Sequence, residues 1–180
     1  MFLDLMCSTS AAVNPIWNET LQTPWLDGTV SDQVYWAYTT FPLPYHVHTY
    51  QVTQLVPYLQ SICANDPSSC LMDAYKDYAF SQLDQVLSEV DVSQDAFITQ
   101  WTTMVAAEFG LDQPTLASLY TSSDPYSTDY WTRAMWKYAT SKGNNGTPTI
   151  WINGVPLDYI PGSVSEWLST LQGVYDSQYR

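Results

Sequence analysis

Apolar residues run from Phe2 to Met6 with one acid, Asp4, among them, and this predicts a short buried strand. Ser8 to Leu21 reads as a helix interrupted at Asn14-Pro15. Val34 to Thr40, "VYWAYTT", is rich in β-branched and aromatic residues and predicts a second strand. The two prolines of "FPLPYH" forbid its regular continuation. The spacing then becomes helical. Val52, Leu55, Val56, Leu59, Ile62 and Cys63 share one face, with a kink expected at Pro57. A second face is built around Leu71, Tyr75, Ala79, Leu83 and Val90, and a third from Ile98, Trp101, Val105 and Phe109. Asp112 with Pro114 opens a shorter helix, and Asp124 with Pro125 opens one carrying Trp131, Met135 and Tyr138. "TPTIWINGVPLDY" reads as two strands around an Asn153-Gly154 turn. Ser163 and Glu166 form a capping box for a last helix.

The order is therefore strand, helix, strand, a block of helices, hairpin, helix, which suggests a βαβ core. The helical block is too long to be a single crossover, so most of it is expected to be an insertion with break points near His46 and Gly143.

At 180 residues and 46% hydrophobic composition the chain can bury a substantial core. Its net charge of −13 would be repelled by nucleic acid and by anionic membrane surfaces, so neither is an expected partner. The apolar runs fall far short of the ~20 residues of a membrane-spanning helix. Cys63 and Cys70 bracket the turn-rich "CANDPSSC" and are expected to close a disulfide, which leaves Cys7 unpaired. Two sequons, at Asn18 and Asn145, agree with the disulfide in pointing to a secreted or luminal compartment; Pro148 after the second weakens it as an acceptor. Met1 stands directly on the apolar run without a basic segment or cleavage site; if the compartment is secretory, the chain is expected to lack its natural beginning, as mature or truncated material would.

A cysteine that ends a strand and begins a helix aims its sulfur at unpaired backbone N–H groups and the positive end of the helix dipole, which favours thiolate over thiol. Here "FLDLMCSTS" and "GTPTIWINGV" resemble the two halves of a thioredoxin-fold active site in its DsbA-like branch. "FPLPYH" and "WKYATSKGNNGTPTIWING" are similar to eukaryotic members of DsbA type, several of which carry Cys-x-x-Ser in place of Cys-x-x-Cys. The resemblance implies an α/β, thioredoxin-like fold whose βαβ and ββα halves (1–46 and 143–180) flank an inserted helical domain (47–142). It makes Cys7 the nucleophile, puts Ser10 in the resolving position, and makes Thr147 and cis Pro148 the wall where an extended substrate pairs. No cofactor is implied.

A serine hydroxyl cannot release a mixed disulfide, so a Cys7/Ser10 site can capture a partner, or assist isomerisation when another thiol resolves it, but cannot alone donate a disulfide. Ser10 can still donate a hydrogen bond to a thiolate. Two readings of Cys7 stand side by side. One is a reactive monothiol that meets a protein partner through a mixed disulfide. The other is a packing residue in a retired fold that serves as a binding or structural subunit of an extracellular assembly. Asp4 reads as a strand-end acid reaching solvent, with a buried proton shuttle as the alternative. His46 and His48, two apart, share a face if extended and read as surface or packing residues. No ligand cluster joins them, and no metal site is expected. Nothing in the chain resembles a phosphate-binding glycine loop or a nucleophile elbow.

Overall fold

The computed structural model describes residues 1–179. It begins with β1 (Phe2–Leu3) and α1 (Ser8–Gln22), followed by a small antiparallel pair, β2 (Pro24–Trp25) and β3 (Gly28–Thr29). Next come α2 (Val30–Gln33) and β4 (Thr39–Thr40). Seven helices follow: α3 (Thr49–Gln54), α4 (Val56–Asn65), α5 (Met72–Ser81), α6 (Leu83–Ser88), α7 (Gln94–Phe109), α8 (Gln113–Ser118) and α9 (Thr128–Ser141). The described chain closes with the hairpin β5 (Trp151–Ile152) and β6 (Val155–Pro156), then α10 (Val164–Tyr179).

β1 is central. It pairs in parallel with β4, Phe2 opposite Thr39 and Leu3 opposite Thr40. On its other side Phe2 exchanges two antiparallel backbone bonds with Thr149, of 2.8 and 3.0 Å. The segment beginning at Thr149 runs into β5, so side chains alternate across the sheet. Ile150 packs with Val13 and Trp17 of α1 and Trp167 and Leu171 of α10. Trp151 packs toward Phe2, Phe41, Leu43 and Ala139 of α9. Each face of the small sheet is thus covered by helix. A third and larger core lies among the helices of the block and takes in Leu5 and Met6, which tie it to the end of β1.

Several elements differ from the sequence reading for local reasons. β1 ends at Leu3, not Met6, because the chain turns at Asp4, whose carbonyl accepts from Cys7 N–H (3.1 Å) and whose carboxylate accepts from Met6 N–H (2.8 Å). The predicted strand Val34–Thr40 shrinks to Thr39–Thr40. Its parallel partner is only two residues long; of the preceding positions Ala37 O accepts from the Met1 amino group (2.7 Å), and Tyr35 is left 96% exposed. Helix α1 runs through Pro15 without a break. The face from Val52 to Cys63 does divide, into α3 and α4, with Pro57 in the first turn of α4 where a missing N–H is harmless.

Asp124 is not the N-cap residue of the helix predicted after it, although it bonds the first residue of that helix. Its carboxylate takes Tyr126 N–H (2.8 Å) and Thr128 N–H (2.5 Å), and α9 starts one turn later. The hairpin agrees with its sequence: Asn153 and Gly154 both take positive φ, 50° and 83°, as a two-residue turn of this kind requires. So does the start of α10, where Ser163 Oγ accepts from Glu166 N–H (3.3 Å), although the Glu166 carboxylate reaches back to Gly162 N–H (2.7 Å). Cys63 and Cys70 are joined by a disulfide. Among the described residues no helix is long and apolar enough to cross a membrane.

Candidate active site

Cys7 is the N-cap residue of α1, with extended backbone (φ −95°, ψ 120°). Its sulfur makes no capping bond to the helix. It donates instead to the carbonyl of Thr147, 3.3 Å away and 140 residues later in the chain. The Thr147–Pro148 peptide bond is cis. The fold therefore brings together Cys7, Thr147 and Pro148, the residues the resemblance had paired. Thr149 is held there by the two bonds to Phe2, and Pro148 is buried. Cys7 itself is 7% exposed.

Ser10 lies one helical turn on, on the inner face of α1, and is fully buried. Its hydroxyl has no hydrogen-bond partner and so does not support the Cys7 sulfur. Thr147 Oγ1 is likewise buried without a partner. The site thus holds one thiol, two unpaired hydroxyls and no second free thiol, because the other two cysteines are bonded to each other. The sequon residue Asn145 is exposed two positions before Thr147, whereas Asn18 is half-buried within α1.

Beneath Cys7 the structure departs most from the sequence reading. Asp4 does not reach solvent: it is fully buried, because the turn after β1 folds its side chain under the loop that follows β4. One carboxylate oxygen accepts from Met6 N–H (2.8 Å) and from the Thr49 hydroxyl. The other accepts from Leu43 N–H (2.8 Å) and is bonded to His46 Nδ1 (2.7 Å). Four groups from three separate segments converge on one acid. A buried carboxylate is tolerated on such terms, with every oxygen engaged.

His46 and His48 do not share a face. The chain between them is bent, and His48 takes a left-handed conformation (φ 54°) at the start of α3. His48 stacks on Phe97 with 4.0 Å between ring centroids, and its Nε2 lies 3.1 Å from Glu89 O. Among the described residues no cluster could hold a metal ion.

A second buried charge lies in α5. Lys76 of α5 is 2% exposed, with its ammonium 3.5 Å from both Asp73 and Asp77 and about 5.5 Å from the rings of Trp36 and Tyr38. Asp77 also accepts from Asn14 Nδ2 (2.7 Å), so this cluster ties α5 to α1. Burial, with the negative charges of Asp73 and Asp77 beside it, holds the Tyr38 hydroxyl well above the usual tyrosine range. The signal for Asp4 was present in the sequence, as a lone acid in an apolar run. Lys76 had only the spacing of acids three before it and one after.

The order β1–α1–β4, the hairpin with its closing helix, and the helical block between them define a thioredoxin-like fold with an inserted helical domain. In agreement, the chain is similar to a solved structure described as "a putative protein-disulfide isomerase from Pseudomonas syringae". The TM-score is 0.68 at 15% sequence identity, over 94% of this chain and 90% of that one. No protein-family model matches the chain, and no curated protein matches it.

Proposed function

We propose that the chain is a monothiol thiol–disulfide exchange protein of the secretory pathway, with Cys7 as its nucleophile. The observation that carries this reading is the Cys7 sulfur at the head of α1, 3.3 Å from the Thr147 carbonyl. The similar structure, whose description names a protein-disulfide isomerase, points to the same chemistry. In this reading residues 47–142 are the inserted helical domain, and 1–46 with 143–180 are the thioredoxin-like halves. Thr147 and Pro148 form the wall against which an extended partner lies.

The step is a displacement. The Cys7 thiol gives its proton to solvent, and the resulting thiolate attacks one sulfur of a partner disulfide. A Cys7–partner disulfide forms, the partner's own S–S bond breaks, and its second sulfur leaves as a thiolate. Cys7 is oxidised and the leaving sulfur reduced. Ser10 has no sulfur with which to reverse this, so release waits for a second thiol from the partner or from solution. The Cys63–Cys70 disulfide supports an oxidising compartment, and the exposed Asn145 is available for glycosylation there.

The test is incubation of the native protein with excess oxidised glutathione, followed by peptide mass. The reading expects one glutathione adduct, on Cys7, that persists until reductant is added. Ser10→Cys should convert that adduct into an internal disulfide between Cys7 and the introduced thiol, with loss of the glutathione mass. A native protein that takes up no glutathione contradicts the proposal. That outcome favours the second reading, a binding or structural subunit with an inert thiol, which the 7% exposure of Cys7 and the unpartnered Ser10 hydroxyl support.

A further inference from the structure

The chain's lysines and arginines number only five against 18 acids. Arg180 lies outside the described residues and Lys76 is buried. The remaining three, Arg133, Lys137 and Lys142, all lie on α9 or at its C-terminal end. The same helix carries exposed aromatic rings, Tyr130, Trp131, Trp136 and Tyr138. In a chain with net charge −13, a strip both cationic and aromatic is an anomaly that general solubility does not explain.

Between α9 and the loop after β4 lies an open cavity of about 440 Å³. That size is within the ~300–1,000 Å³ typical of small-molecule sites. Pro42, Leu43, Pro44 and Trp136 give it apolar walls, and Arg133 and Lys137, one helical turn apart, stand at its edge. The walls are fixed before any ligand arrives. Leu43 N–H and the Thr49 hydroxyl, on residues that line the cavity, are held by buried Asp4. Tyr50 OH donates to Asp129 Oδ1 (2.6 Å), and Arg133 Nε to Asp129 Oδ2 (2.9 Å), with the guanidinium 5.8 Å from the Tyr50 ring centroid. Asp129 offsets much of the Arg133 charge. Lys137 has no such partner among the described residues, so its ammonium is the uncompensated charge at the mouth.

We propose that this cavity binds a small apolar carboxylate, its hydrocarbon part between Trp136 and the Pro42–Pro44 loop and its carboxylate at Lys137, with Arg133 behind. Neutral or cationic molecules of the same shape would forgo the one uncompensated charge here, and the surrounding acidic surface would reject a larger polyanion. The inference does not depend on the chemistry of Cys7.

The experiment is calorimetric titration of the full chain with decanoate below its micelle concentration, beside decanol and decyltrimethylammonium. The expected result is saturable one-to-one binding of decanoate, weaker for decanol and absent for the ammonium compound. Lys137→Gln should weaken decanoate binding about fivefold, the upper range for one exposed ion pair. Trp136→Ala should weaken it about tenfold while leaving the preference for decanoate over decanol intact. Both residues are exposed, and an unchanged urea midpoint confirms that each variant is folded. Absence of saturable binding, equal affinity for decanoate and decanol, or indifference to both substitutions overturns the proposal.

Discussion

Replacing Asp4 by asparagine tests how far the fold beneath Cys7 rests on one buried acid. The carboxylate receives four donors, Met6 N–H and the Thr49 hydroxyl on one oxygen, Leu43 N–H and His46 on the other. An amide offers one oxygen and one NH₂ in their place. With the NH₂ toward His46, the imidazole can adjust by changing tautomer, but Leu43 N–H then faces another donor. One orphaned buried amide costs about 1–3 kcal/mol, and the bonds that survive lose their charge assistance, so the total is about 2–4 kcal/mol. Asp4→Ala orphans both amides and leaves a void, for about 4–6 kcal/mol. His46→Ala leaves the carboxylate three of its donors and should cost only about 1–2 kcal/mol. The assay is urea unfolding followed by tryptophan fluorescence, with the m-value checked for constancy. The predicted order of loss, largest first, is Asp4→Ala, Asp4→Asn, His46→Ala. An Asp4→Asn protein within about 0.5 kcal/mol of the parent would refute the reasoning.

Three further outcomes are expected. Removing the disulfide with Cys63→Ala and Cys70→Ala together should lower stability by about 2 kcal/mol, the loop-entropy value for a closure this short, read from the same unfolding curves. The Thr115 side chain and amide both bond to Asp112 and hold its carboxyl below the usual carboxylate range. A lowered native pKa stabilises the fold above the unfolded value near 4 and ceases to do so as pH falls through the native one, so Asp112→Asn should melt lower than the parent at pH 7, with the gap shrinking as pH falls below about 4. Ser93 Oγ caps α7 through Ala96 N–H (3.3 Å), and Ser93→Ala should cost about 1 kcal/mol by urea midpoint.

What was legible in the sequence was chiefly local. The Ser163–Glu166 cap, the Asn153-Gly154 turn and the break at Pro57 each depend on residues within a few positions of one another, and each is present. The Cys63–Cys70 bridge spans a separation of only 7. The length of strands was not legible, because a strand ends where its partner ends: Val34 to Tyr38 has strand composition but β1 is too short to pair with it. Nor was the Asp4 network, whose donors Leu43, His46 and Thr49 are 39 to 45 residues away. The juxtaposition of Cys7 and Thr147 crosses 140 residues, and only the resemblance of the two flanking motifs anticipated it. The cavity beside Lys137 was not legible either, because its walls come from segments far apart in the chain, Pro42–Tyr50 and Arg133–Lys137, neither of which bears a motif.

The most direct test of the central claim is the rate at which iodoacetamide alkylates Cys7 at neutral pH across a urea series, read by peptide mass. The account predicts measurable alkylation of the native protein, at a rate that stays flat until the unfolding transition begins. A rate near zero in the native state that rises only in step with the unfolded fraction would show that Cys7 is a packing residue and would contradict the account.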